Sequence, residues 1–135
     1  MKGTTMKLAF VLLIALGAAA SAADFSARIL DLNNKPVIDD AVCPADTSGK
    51  RPCATEVTLG DVSVRALMAV APDEQNLAGE EKFKRFVLAM KIKDGGEVAL
   101  SAEDIALLKK LIGKIYAPLV VGRAFPLLDP GEKKP

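Results

Sequence analysis

The chain has 135 residues, of which 50% are apolar and 26% charged, with 18 basic and 17 acidic side chains. That length supports a single domain, and a formal charge of +1 argues against a nucleic-acid-binding surface, which carries a basic excess or stripe. No histidine is present, which removes His general-base chemistry, Ser–His and Cys–His nucleophile pairs and every His-containing metal site.

Lys2 and Lys7 precede an uncharged stretch over residues 8–23 that ends in the small residues Ala20-Ser21-Ala22. This order is that of a secretory signal peptide, and it predicts cleavage after Ala22. At 16 residues the stretch is short of the ~20 a spanning helix needs, so no permanent membrane anchor is expected. An uncleaved inner-membrane anchor and a wrongly extended N-terminus are the alternatives. Loss of residues 1–22 would leave 113 residues with 16 basic and 17 acidic side chains, a net charge of −1.

Residues 25–30 have strand character, residues 31–36 carry a turn signal, and Val37-Ile38 returns, which predicts a small β-hairpin. Cys43 and Cys53 follow, nine residues apart in a stretch rich in Pro and Gly. An even cysteine count in an exported chain reads as a disulfide, worth roughly 3 kcal/mol for a loop this short. The spacing is not Cys-x-x-Cys, which argues against a redox pair. Gly49-Lys50 resembles the end of a phosphate-binding loop, but Pro44 and Arg51 stand where that motif requires Gly and Ser or Thr.

Thr58 with Asp61 three residues on predicts a helix N-terminus, with Pro72 marking the end. Residues 78–93 form the clearest helix. Phe83, Phe86, Val87 and Met90 follow the i, i+3, i+4, i+7 spacing of a buried face, Glu80/Lys84 and Glu81/Arg85 are favourable i,i+4 pairs, and Asp94-Gly95-Gly96 stops the helix. Ser101 with Asp104 opens a third helix, whose apolar stripe is Ile105, Leu108, Leu111, Ile112 and Ile115. Lys109, Lys110 and Lys114 lie off that stripe. They are a solvated face in the simplest reading and a partner-binding patch in the other. Pro118 starts a fourth helix, Pro126 ends or kinks it, and residues 131–135 form a flexible tail. The apolar segment 119–128 suits a core helix or a homo-oligomer interface.

The expected fold is mainly α (α+β). It is a compact bundle of about four helices over residues 23–130, preceded by the hairpin and the disulfide loop.

Chemistry is sparse. The carboxylate pairs Asp39-Asp40, Glu80-Glu81 and Glu103-Asp104 are sequence neighbours. On a helix such neighbours point about 100° apart and do not converge on one cleft. Asp39, Asp40 and Asp46 fit no EF-hand spacing. No catalytic residue, cofactor or metal ligand is assigned.

The stretches 58–62, 78–82, 101–114 and 117–122 resemble small proteins encoded by tailed phages and prophages, over roughly residues 25–130. That resemblance implies viral or prophage origin and no particular activity. The leader and the Cys43–Cys53 loop depart from the group and point outside the cytoplasm. The combined expectation is a periplasmic or secreted, non-enzymatic interaction protein with an envelope or virion protein as partner. A cytoplasmic phage assembly accessory and a carboxylate-dependent enzyme are the alternatives.

Overall fold

The computed structural model describes residues 21–39, 47–48 and 55–131. Cys43, Cys53 and their expected disulfide lie outside these residues, as do Asp40, Asp46, most of the leader and the end of the tail. The elements in order are strand β1 (Ser21–Asp24), helix α1 (Leu59–Met68), a 3-10 turn (Pro72–Glu74), helix α2 (Gly79–Ile92), strand β2 (Glu97–Leu100), helix α3 (Ala102–Ile115) and helix α4 (Pro118–Leu128). Among the described residues, four helices and a two-stranded antiparallel sheet make an α+β fold. Among the described residues no helix is long and apolar enough to cross a membrane.

Local chemistry starts the helices. Thr58 Oγ1 accepts the Asp61 N–H (3.2 Å), while the Asp61 carboxylate accepts the Thr58 N–H (2.9 Å). Ser101 and Asp104 make the same reciprocal pair at 3.1 and 3.4 Å. Each box satisfies donors that the first turn leaves without partners. Pro118 opens α4, where its missing N–H costs nothing. Pro126 does not end α4, which continues to the fully buried Leu128. Pro126 and Gly122, whose carbonyl loses its helical donor to the proline, are both exposed, so water can serve that carbonyl.

The sheet is not where the sequence places it. The expected hairpin is reduced to one antiparallel bridge, Leu30 with Pro36, flanked by the Asp31 N–H to the Lys35 carbonyl (2.8 Å) and the Val37 N–H to the Ile29 carbonyl (2.9 Å), while Arg28 bridges Thr58 and Ile38 bridges Glu56. The turn itself is as expected: the Asp31 carboxylate accepts the N–H groups of Asn33 and Lys35, and Asn34 takes φ 60°. Arg123 of α4 donates to the Asp31 carbonyl and to Asn34 Oδ1, which fastens the turn to the bundle. The regular sheet pairs Ser21 with Leu100, Ala22 with Ala99, Ala23 with Val98 and Asp24 with Glu97. β1 thus spans the Ala22–Ala23 bond at which cleavage is expected. Ser21 and Ala22 pair with Leu100 and Ala99 on one side of that bond, Ala23 and Asp24 with Val98 and Glu97 on the other, and Ala23 is buried.

Residues 25–27 run between the start of α1 and the turn after α2. Phe25 N–H donates to the Gly96 carbonyl, the Phe25 carbonyl accepts the Gly60 N–H, and the Ala27 carbonyl accepts the Leu59 N–H. Ser26 Oγ accepts the Gly96 N–H at 2.7 Å. Gly95 and Gly96 have φ of 72° and 75°. A Cβ at Gly95 would sit 2.8 Å from Ser26 Oγ, whereas one at Gly96 would meet nothing within 4 Å. Gly95→Ala is therefore expected to cost about 2–3 kcal/mol, and Gly96→Ala about 1 kcal/mol from the backbone alone. Urea unfolding of the two variants side by side measures the difference; equal costs would mean that Ser26 moves aside freely.

The core is built around Phe25, Ile29, Leu59, Val62, Ile92, Leu100, Leu108, Leu111, Ile112 and Leu128. α1 packs against α2 and α3, and α4 lies on α3 with an edge against β1.

Candidate functional site

Helix α2 carries two stripes with i, i+3, i+4, i+7 spacing. One is Phe83, Phe86, Val87 and Met90; the other is Arg85, Leu88, Ala89 and Ile92. At 3.6 residues per turn the two stripes lie on opposite sides of the helix. The expectation that the first is the buried face is overturned. Phe83 is 65% exposed, and Phe86, Val87 and Met90 are each 48% exposed, while all four members of the second stripe are buried.

The reason is a charge that the rest of the fold is built to receive. Arg85 donates to both carboxylate oxygens of Glu74 (2.9 and 2.8 Å), and both side chains are nearly fully buried. Lys114 of α3 donates to Glu74 (3.2 Å) and to Asp73 (2.9 Å). A buried charge needs a partner of good geometry, and Pro72–Glu74 supplies one only if the Arg85 side of α2 turns inward. The small Ala89 on the same stripe permits close approach to the neighbouring helices. The expected Glu81–Arg85 pair gives way, and Glu81 pairs instead with Lys84 at 3.2 Å.

This cluster has defined electrostatics. Arg85 first, and then Lys114, hold the Glu74 carboxyl down at about 2. Lys114 lowers Asp73, Glu74 raises Arg85, and Asp73 raises Lys114. Glu74 thus stays ionised at neutral pH and in fixed ion pairs. The cluster fastens the 3-10 turn to α2 and α3.

Beside the exposed stripe lies a groove of about 630 Å³ between α2 and the first turns of α3. Phe83, Lys84, Val87 and Lys91 form one wall, and Glu103, Asp104 and Leu107 the other. The surface is apolar along the stripe and acidic on the α3 rim, while the α2 rim carries Lys84 and Lys91 together with Glu81, the partner of Lys84. Glu80 begins the stripe's groove-side flank and Lys91 ends it, both exposed.

The lysines singled out from the sequence do not act together. Lys109 turns toward α4, 3.6 Å from Asp129 and 5.7 Å from the centre of the Phe125 ring. Lys114 turns the other way into the Asp73/Glu74 cluster, and Lys110 is exposed on α3. Glu80 and Glu81 lie in the first turn of α2, and Glu103 and Asp104 in the first turn of α3, where the helix dipole favours acids. Asp39 pairs with Arg65 of α1. Among the described residues no three metal-ligating side chains converge. Comparison with protein-family models, curated proteins and solved structures finds no match.

Proposed function

We propose that this chain is a small exported, non-enzymatic interaction module that binds a protein partner through the outer stripe of α2 and the groove beside it. One observation carries the reading: Phe83, Phe86, Val87 and Met90 stand exposed at helical spacing on a helix whose other face already fills the core. Water-exposed aromatic side chains in such a row are what a partner surface supplies. The signal-like leader and the Cys43/Cys53 pair support export, and with it a periplasmic or extracellular site of action. Phage or prophage origin is part of the same proposal and rests on sequence resemblance.

The test replaces Phe83, and separately Lys110 of α3, by a photo-crosslinking amino acid in protein made in its native host. Adducts are expected from position 83 and absent from position 110. Adding Met90→Ser and Phe86→Ser should abolish them while the circular dichroism spectrum stays that of the parent. Equal labelling at 83 and 110 would overturn the reading.

A further inference from the structure

We propose that the occupant of this face is a second copy of the chain, with the two α2 helices packed antiparallel about a two-fold axis near Phe86 and Val87. The inference rests on the reading of α2 as the binding face. It is carried by the order of charge along that face.

Glu80, Lys84 and Lys91 fall along one flank of the exposed stripe; Lys84 and Lys91 line the groove there, together with Glu81, to which Lys84 is paired at 3.2 Å. In an antiparallel helix pair, residues of one flank meet the same flank of the partner with their order reversed. Glu80 of one copy then lies against Lys91 of the other, and the two-fold axis repeats the pair. Phe83 comes to lie against Met90, and Phe86 against Val87, so the aromatic and aliphatic side chains cover one another. A parallel arrangement sets this flank against the partner's opposite flank, so that Lys84 and Lys91 meet Lys82 and Lys93 and only Glu80 finds an opposite charge. On the opposite flank Lys93 is already paired with Asp94 at 2.8 Å, which leaves Lys82 as a like-charge contact. A two-fold, self-complementary patch is the commonest route to a homodimer.

The four stripe side chains expose roughly 400 Å², judged from typical side-chain areas. A standard interface takes about 800 Å² per partner. The stripe supplies half of that, and the flanks and groove wall make up part of the remainder. The expected dimer is accordingly reversible, with a dissociation constant on the order of 10 µM.

Sedimentation velocity on the purified chain from about 1 to 500 µM tests this. Wild type is expected to pass from monomer to dimer across that range. Glu80→Lys and Lys91→Glu are each expected to weaken association about tenfold or more, since each sets two like charges face to face twice over. The double variant E80K/K91E should associate as wild type does. An equimolar mixture of the two single variants should form a heterodimer. A wild type that stays monomeric at 500 µM, or a double variant as weak as the singles, overturns the proposal. The photo-crosslinker at position 83 separates this outcome from failure of the functional reading. An adduct of twice the chain mass, formed by the purified protein alone, supports the second copy. An adduct of another mass, formed only in the native host, keeps α2 as the binding face and overturns the dimer. No adduct under either condition overturns both.

Discussion

Leu108→Ala lowers the unfolding free energy by about 3–4 kcal/mol, whereas Phe83→Ala leaves it within about 0.5 kcal/mol of wild type. Leu108 is fully buried at the centre of α3, among side chains from several elements, so truncation removes its transfer free energy and leaves a cavity. Phe83 is larger, yet it is 65% exposed. Its loss returns little buried area to water, and alanine is the better helix former. Urea unfolding at about 1 µM chain in the Lys91→Glu background, in which the expected dimer is weakened, measures both changes with little contribution from association. A Phe83→Ala loss near that of Leu108→Ala would mean that the outer stripe of α2 is packed in the monomer.

Glu74→Gln lowers the melting temperature by about 10 °C or more at pH 7, because it leaves the buried Arg85 guanidinium without a counter-charge. Arg85→Leu has a much smaller effect. It removes the buried charge along with its desolvation cost, and Glu74 keeps Lys114 at 3.2 Å. The pH dependence follows from the depressed carboxyl. Unfolded, Glu74 takes up its proton near the ordinary 4.5; folded, it holds off until about 2. A depressed carboxylate stabilises the fold in full above its unfolded value and loses that contribution as pH falls through its folded value. The gap in stability between wild type and Glu74→Gln should therefore be constant from pH 7 to about 5.5 and shrink between about 4.5 and 2. Melting curves in this range check it; a gap that widens on acidification contradicts the pairing.

Where the sequence was informative, the cause was local. The Thr58/Asp61 and Ser101/Asp104 boxes, the proline that opens α4 and the Gly95-Gly96 stop are each decided within a few residues, and each stands at the expected place. The Asp31–Lys35 turn is of the same kind. The facing of α2 was not legible, because both stripes share one spacing and the more hydrophobic one is the natural choice for a core. What decides between them is Glu74, eleven positions before Arg85, with Lys114 on a different helix. The sheet escaped for a related reason. β2 is four residues long, and its partners lie more than seventy positions away in a stretch that reads as a leader. The split of Lys109 and Lys114 also depends on tertiary partners, Asp129 on one side and Asp73 and Glu74 on the other.

The threading of residues 25–27 between α1 and the Gly95-Gly96 turn bears on the time course of folding. Ser26 and Gly96 are 70 positions apart, while α1, α2 and α3 follow one another closely along the chain. Contacts across long separations close late, because loop entropy must be overcome before they contribute. The helices can assemble first, and residues 25–27 dock into a bundle already formed. Interactions made only after the rate-limiting step act on the escape rate rather than on the approach. Loss of the Ser26–Gly96 clasp is thus expected to shorten the lifetime of the folded molecule and to leave the rate at which it forms nearly unchanged.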